Sequence, residues 1–238
     1  MERGFYVEDS PWVEMRDLQW GKLTNGCPVK RVGKGYVFYN QQEFCDDIYI
    51  IKSGRVAMCL CTPEGGMRQV VILDQGCIFG QQTLLDNKPN SCLAETVSNV
   101  AEVYVMPKSY VRDRVRNDYE LVHNFLAQSN RINRLLLTQV ELMSFRPSES
   151  RVCFYLLHMA DQYSIDLDNQ RCIQIQFTHQ DIADVTGLSR VCVSNIISRL
   201  MKENILDKKS GAYYVVQMDR LREKIEDYRS GEPGGAEK

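Results

Sequence analysis

The stretch 178-THQDIADVTGLSRVCVSNIISRLMKENIL-206 decides the fold of the C-terminal part of this chain. Thr178 and Asp181 have the spacing of a capping box, which predicts the start of a helix. Gly187 supplies a tight turn, and Ser189 is placed to cap a second helix. The apolar positions predict two helices packed at a steep angle, a helix-turn-helix; they are Ile182, Ala183, Val185, Leu188, Val193, Ile196, Ile197 and Leu200.

The outward side of the second helix is predicted to carry a cation, a small apolar group, a hydroxyl and an amide. These groups belong to Arg190, Val191, Ser194 and Asn195. In the DNA major groove, arginine binds guanine O6 and N7, asparagine binds adenine N6 and N7, and apolar groups contact the thymine methyl. We therefore predict that these four residues read bases.

The segment 205-ILDKKSGAYYVVQ-217 predicts two short strands about a lysine-rich turn, the pattern of a wing. Hydroxyl and basic side chains near the helix pair are predicted to contact DNA phosphates; they are Thr178, Ser189, Arg199, Lys202, Lys208 and Lys209. The net charge of −2 gives no separate hint of nucleic acid, so the prediction depends on this local pattern. The alternative is an ordinary two-helix corner in which each lysine is a solvated surface charge.

Residues 28–106 contain short, alternating, β-branched runs separated by glycine turns. In 48-IYIIKSGRVAMCLC-61, two apolar runs flank K-S-G, which predicts a β-hairpin. Strands that recur every 8 to 12 residues or so are typical of a β-sandwich or jelly roll.

Residues 118–145 contain neither proline nor glycine and predict one long helix. Its apolar residues form two stripes, which imply two contacts, with the β-domain and with a partner helix. We predict a dimer interface along the stripe Leu121, Phe125, Ile132, Leu135 and Leu142. The other stripe is Val122, Leu126, Leu136, Val140 and Met143. Periodicity does not decide which stripe meets the partner, and a helix enclosed in one subunit fits it equally well.

The segment 145-FRPSES-150 is the clearest break, because Pro147 ends one helix and Ser148 is placed to cap the next. We predict a β-domain over residues 1–116, the long helix over 117–146 and a DNA-binding domain over 147–229. The glycine-rich residues 230–238 are predicted to be a disordered tail.

From about residue 20 to 227, this order of elements resembles the Crp/Fnr (cyclic-AMP receptor protein / fumarate-nitrate regulator) family, and residues 178–206 are the most specific part. The resemblance implies an α+β fold. Its parts are an N-terminal β-roll (jelly-roll, cyclic-nucleotide-binding-like) domain, a long dimerisation helix and a C-terminal winged helix-turn-helix domain. It implies a cytoplasmic homodimer that binds palindromic double-stranded DNA, responds to a small-molecule effector and contacts RNA polymerase if it activates transcription. Residues 202–221 resemble the halorespiration-regulator branch.

The chain departs from this family at the DNA-reading positions. The common recognition-helix pattern is S-R-E-T-V-S-R, whereas Val191 and Asn195 stand here in place of the glutamate and the second arginine. We therefore expect an operator that differs from the common half-sites at the corresponding base pairs, and that is still a palindrome.

The effector segment departs as well. The cyclic-nucleotide pattern G-E-x-x-L followed by R-S-A is replaced by 80-GQQTL-84 and 90-NSC-92. Gln81 and Asn90 lack the carboxylate and the cation that a ribose and a buried phosphate require, so we predict an effector other than cyclic AMP, or none. The predicted effector residues are Gly80, Gln81, Gln82, Thr83, Leu84, Asn90, Ser91, Cys92, Asn130 and Asn133. Ordinary β-roll packing and a polar helix interface explain the same residues equally well.

No cofactor is predicted. The nine cysteines include no C-x-x-C pair, and Cys27 is the only one in the first 44 residues, so the cysteine cluster of the oxygen-sensing branch is missing. Residues 28–106 contain no histidine, which argues against a haem ligand, a metal site and a β-roll enzyme. A thiol-based redox regulator remains an alternative. No run approaches the roughly 20 apolar residues of a membrane span, so no membrane association is predicted.

Overall fold

The computed structural model describes residues 12–167, 170–174, 177–209 and 211–226. The chain divides into two compact units, of which one ends at Leu137 and the other begins at Thr138. The predicted tail at 230–238, and the first residues of the predicted β-domain, lie outside the described ranges.

The first unit consists mainly of β-strands and ends in the long helix. Its elements are β1 (Trp12–Val13), α1 (Gly21–Thr24), β2 (Val29–Gly33), β3 (Val37–Tyr39), β4 (Asp47–Ser53), β5 (Val56–Cys61), β6 (Met67–Leu73), β7 (Ile78–Phe79), α2 (Gln82–Leu85), β8 (Leu93–Thr96), β9 (Val100–Pro107), α3 (Lys108–Val115) and α4 (Tyr119–Phe145).

The strands of this unit form two sheets, ordered β1-β6-β5-β8-β3 and β2-β9-β4-β7. One buried cluster joins their inner faces, with Tyr39 and Leu73 from the first sheet and Tyr49 and Val103 from the second. Packing of two sheets over a shared apolar core makes the β-roll, and the predicted fold class is confirmed.

The predicted hairpin about K-S-G is wrong. The strands on either side of it, β4 and β5, belong to different sheets and do not pair. Gly54 sits at the turn with φ of +84°, and an added Cβ would lie 2.4 Å from the carbonyl oxygen of Val100. The glycine therefore permits a close approach of two backbones where the chain passes from one sheet to the other.

The long helix packs its first stripe against its own β-roll. Leu121 and Phe125 are buried in a cluster with Trp20, whose ring meets Phe125 edge-on at 5.6 Å between centroids. Leu135 is buried in the inter-sheet cluster, and Ile132 packs against it. The prediction that this stripe forms the dimer interface is corrected for these four residues, because their side chains are already covered within the chain; Leu142 is half-buried and belongs to neither cluster.

Gln128 anchors α4 to the β-roll through both ends of its side-chain amide. Its Nε2 donates to the carbonyl oxygen of Ile78 at 2.7 Å, and its Oε1 accepts from the Ile78 N–H at 2.8 Å. The residue is 1% exposed, so both bonds lie in the interior. Gln128 interrupts the apolar stripe in the sequence because its side chain is the hydrogen-bond partner of the buried Ile78 N–H and carbonyl.

We expect Gln128→Ala to destabilise the first unit by about 2–4 kcal/mol, because it leaves a buried N–H and a buried carbonyl without partners. Both tryptophans, Trp12 and Trp20, lie in this unit, so tryptophan fluorescence during urea unfolding reports its stability. Asn130→Ala, at an exposed position of the same helix, is the matched control. Equal unfolding midpoints for the two variants would contradict the anchoring role.

The second unit begins with the end of α4 and contains the predicted helix pair. Its further elements are α5 (Ser148–Tyr163), β10 (Ser164–Leu167), β11 (Gln170–Ile173), α6 (His179–Thr186), α7 (Arg190–Lys202), β12 (Leu206–Lys209), β13 (Ala212–Val215) and α8 (Met218–Glu226).

One sheet, ordered β10-β11-β13-β12, forms the strand layer of this unit, and its β12–β13 hairpin is the predicted wing. The prediction that Ser148 caps α5 is wrong: Pro147 occupies the N-cap and Ser148 is the first helical residue. In the part of the chain that the structure describes, no helix is both long and apolar enough to cross a membrane.

Candidate nucleic-acid interface and effector segment

The helix pair α6–α7 is fixed by its own capping groups. The Thr178 hydroxyl accepts from the Asp181 N–H at 3.1 Å, and the Asp181 carboxylate accepts from the Thr178 N–H, so the capping box is complete. Gly187 ends α6 in the left-handed region at φ of +67°. The Ser189 hydroxyl accepts from the Cys192 N–H at 3.2 Å and caps α7. The predicted caps are confirmed.

The core between the two helices contains most of the predicted apolar set. Val185 and Leu188 are half-buried, and the others are fully buried: Ile182, Ala183, Val193, Ile196, Ile197 and Leu200. These contacts leave the opposite side of α7 free to meet another molecule.

The four predicted base-reading residues lie along the first two turns of α7. Arg190, Val191 and Asn195 are exposed, and the Val191 side chain is unusually so for a valine, at 69%. Ser194 is half-buried instead, because its Oγ lies 2.6 Å from Nδ1 of His179 on α6. The reading face therefore consists of three exposed side chains and of the Ser194 hydroxyl, which contacts His179 on α6.

His179 connects this hydroxyl to the wing. Its Nε2 lies 2.9 Å from the Tyr213 hydroxyl on β13, and Lys208 Nζ on β12 donates to the same hydroxyl at 3.4 Å. The Tyr213 ring is stacked on Phe177 with 5.1 Å between centroids. Burial lowers the pKa of His179, and the positive charges of Lys208 and Arg190 lower it further.

Sequence reasoning missed His179 and Tyr213. Their contact joins positions that are 34 residues apart, and no local spacing rule indicates such a pair. The one signal in the sequence was that His179 directly follows the capping residue Thr178. In the structure this position lies beside the wing strand β13.

The six predicted phosphate contacts differ in what they already bind within the chain. Thr178 and Ser189 serve as helix caps at the end of the pair that carries the reading face. Arg199 forms an ion pair with Glu149 at 2.7 Å on α5, and Lys209 pairs with Asp207 at 3.2 Å. Lys208 reaches Tyr213. Lys202 is exposed in the last turn of α7. Their phosphate role stays a prediction.

The structure brings the two parts of the predicted effector segment together. The Gln82 side-chain oxygen accepts from both the N–H and the hydroxyl of Ser91 at 3.0 Å. The fully buried Thr83 donates to the Cys45 carbonyl at 3.0 Å. Gly80 has φ of +84°, and an added Cβ would lie 2.8 Å from the carbonyl oxygen of Asp47. Leu84 packs against the cluster around Trp20.

Gln81 and Asn90 are the two positions of this segment at which the charged residues of the cyclic-nucleotide pattern are replaced. Gln81 is half-buried at the N-cap of α2. Asn90 is fully buried, and its Nδ2 donates to the Glu43 carbonyl at 3.1 Å. Its Oδ1 is buried and has no hydrogen-bond partner among the described residues. An acceptor therefore stands where a nucleotide phosphate would need a cation.

Asn130 and Asn133 are exposed on α4. Their role in an effector pocket with residues 80–92 stays a prediction.

The cysteines are free thiols, and several are poor candidates for redox chemistry. Burial raises the pKa of Cys45, Cys77, Cys92 and Cys153, for the last to about 12. Since the thiolate is the reactive form, these four are suppressed as nucleophiles. Over the described ranges, no group of three or more His, Cys, Asp and Glu side chains is placed to hold a metal ion.

Comparison with known proteins assigns the family. Residues 29–118 match the cyclic nucleotide-binding domain, and residues 150–224 match the Crp-like helix-turn-helix domain. These two domains lie on either side of the long helix, in the order that the structure shows. The chain belongs to the Crp/Fnr family of DNA-binding transcription regulators, which carry an effector-binding domain.

The chain is 26% identical over 187 residues to the cyclic AMP receptor protein of Thermus thermophilus, covering 79% of this chain and 82% of that protein. It is 21% identical over 198 residues to the anaerobic regulatory protein of Bacillus subtilis, covering 83% of each. Among solved structures, FixK2 from Bradyrhizobium japonicum has a TM-score of 0.70 at 18% identity, covering 82% of this chain and 96% of that one. None of these likenesses selects a branch, so the halorespiration branch stays a prediction.

We expect Asn195→Ala to reduce discrimination at one base pair of the operator by about 1–3 kcal/mol, because a bidentate amide contact to adenine is lost. Binding to the four operator variants at each position, measured by fluorescence anisotropy, checks this. Ser198→Ala, at an exposed position of the same helix, is the control. Equal weakening on every operator would instead assign Asn195 to a phosphate.

Proposed function

We propose that this protein is a homodimeric transcription regulator that places the start of α7 in the major groove of a palindromic operator. The observation that carries the proposal is the exposed set Arg190, Val191 and Asn195 on a helix whose other side is fully packed. A two-fold dimer presents two such helices, which requires two half-sites about 34–36 Å apart.

The outer stripe of α4, which we define as Val122, Leu126, Asn133 and Val140, supports the dimer. Leu126, Asn133 and Val140 follow one another at seven-residue intervals, and Val122 lies four residues earlier. All four are exposed, Leu126 at 59% and Val140 at 55%. This spacing is that of a two-helix seam, in which a single asparagine at a core position fixes the register.

We expect Leu126→Glu to convert the dimer to monomer, at a loss of about 3 kcal/mol or more per dimer, because two leucines lose their buried surface. Sedimentation velocity measures the change. Arg134→Glu introduces the same charge at another exposed position of α4 and is the matched control. An unchanged dimer in Leu126→Glu would remove the outer stripe from the interface.

We further propose that the effector is a small organic molecule other than cyclic AMP, and that no haem, iron–sulfur cluster or metal takes part. Gln81 and Asn90 offer an amide and an unpaired carbonyl oxygen in place of a carboxylate and a guanidinium. A phosphate beside a buried acceptor, without a cation, is strongly disfavoured. A neutral ligand that donates a hydrogen bond suits the Asn90 oxygen better.

The remaining parts of the proposal follow from action on DNA. The protein acts without catalysis, in the cytoplasm where the operator lies. It contacts RNA polymerase if it activates transcription.

In vitro selection from random DNA tests the proposal, run with the dimeric protein in the absence and presence of cyclic AMP. We expect enrichment of a palindrome whose half-sites differ from the common family sequence at the positions facing Val191 and Asn195, with no effect of cyclic AMP. Enrichment of no palindrome under either condition would refute operator binding. Cyclic AMP that changes affinity tenfold would refute the effector proposal alone.

A further inference from the structure

A chain of hydrogen bonds runs from the wing to the reading face of α7. It joins Lys208 Nζ to the Tyr213 hydroxyl at 3.4 Å, that hydroxyl to His179 Nε2 at 2.9 Å, and His179 Nδ1 to Ser194 Oγ at 2.6 Å. Tyr213 is 5% exposed, so its hydroxyl is largely shielded from solvent. The reading position Ser194 is thus the end of a partly buried relay that begins on a different element.

The donor and acceptor capacities of Lys208 and Tyr213 set the direction of each hydrogen bond in this series. The Lys208 ammonium can only donate, so Tyr213 Oη accepts from it. Among the described residues, His179 Nε2 is the acceptor within reach of the Tyr213 proton, so the tyrosine donates to it. A neutral imidazole whose Nε2 accepts carries its proton on Nδ1. That Nδ1–H then donates to Ser194 Oγ.

In this direction the Ser194 hydroxyl uses one of its two lone pairs to accept from His179, and it keeps its proton and one further lone pair. A hydroxyl that accepts from an imidazole keeps its own proton for an outside acceptor. Among the described residues, no second partner for Ser194 Oγ is present. The proton is therefore free for whatever the reading face meets.

We propose that the wing, acting through His179, orients the Ser194 proton toward a DNA base, so that a facing base that presents an acceptor is preferred. In the major groove, guanine O6 and N7, adenine N7 and thymine O4 qualify, whereas cytosine presents the N4 amino donor. The relay disfavours cytosine at this position, because its amino group can use only the remaining lone pair and leaves the Ser194 proton without an acceptor. His179 and Tyr213 are positioning residues, and the inference rests on the proposed placement of α7 in the major groove.

The first test is independent of DNA. Nitrogen-15 NMR of the histidine side chains distinguishes the two tautomers, and His179 is assigned as the signal missing from His179→Asn. We expect the Nδ1-protonated form in the full-length protein near neutral pH. Tyr213→Phe keeps the ring on Phe177 and removes only the hydroxyl, so the Nε2-protonated form should become populated. An Nε2-protonated His179 in the unaltered protein overturns the inference.

The second test uses the operator obtained by selection. Ser194→Ala identifies the base pair in question as the one at which preference is lost. At that pair we expect the unaltered protein to reject cytosine by about fivefold to tenfold, the worth of one hydrogen bond of about 1 kcal/mol. Tyr213→Phe should reduce this rejection to about twofold or less, because Ser194 can then donate its proton to His179 Nδ1 and accept from cytosine without leaving that proton unpaired.

His179→Asn also breaks the connection to Tyr213, and its side-chain amide can present either its oxygen or its NH2 group to Ser194. We expect it to reduce the rejection of cytosine as Tyr213→Phe does. Unchanged rejection in Tyr213→Phe, or equal weakening of all four operators in Ser194→Ala, overturns the inference. Failure of the unaltered protein to select any operator would instead refute the proposed function, and the NMR result would stand separately.

Discussion

The paired hydrogen bonds between the Gln128 side chain and the Ile78 backbone are the constraint on which the first unit depends. Both ends of the amide are used, so α4 cannot turn about its axis without leaving two buried groups unpaired. The anchor therefore decides which residues face the β-roll, such as Leu121 and Phe125, and which remain outside, such as Leu126. The residues that remain outside are those of the proposed dimer seam.

The sequence was informative where interactions are local and ambiguous where they are not. The caps at Thr178 and Ser189 act within three residues, so spacing alone predicted α6 and α7 correctly. The turn at Gly54 looked like a hairpin because sequence does not reveal which distant strands β4 and β5 pair with. The two stripes of α4 are both apolar, and the structure packs Leu121, Phe125, Ile132 and Leu135 of one, and Leu136 of the other, against the β-roll. The hydrogen bonds through His179 could not be predicted from the sequence for the same reason, because they join residues that are far apart along it.

The short strand β7 links two functions of the first unit. Ile78 holds α4 through Gln128, and the chain passes two residues later into Gly80 at the start of the effector segment. The segment is also tied to the loop before β4 by Thr83 and Asn90. A ligand that satisfied the Asn90 oxygen would therefore bind within a few residues of the point that orients the dimerisation helix.

The reading face of α7 separates residues that are free to vary from one that is not. Val191 and Asn195 are exposed and belong to no part of the core, so their replacement would cost little stability; in the proposed placement of α7 it would change operator preference. Ser194 is joined to the wing and can change only together with its partners. After gene duplication, copies of this regulator would acquire new target sites through replacement of Val191 and Asn195. Ser194 would persist in all copies as a mark of common descent.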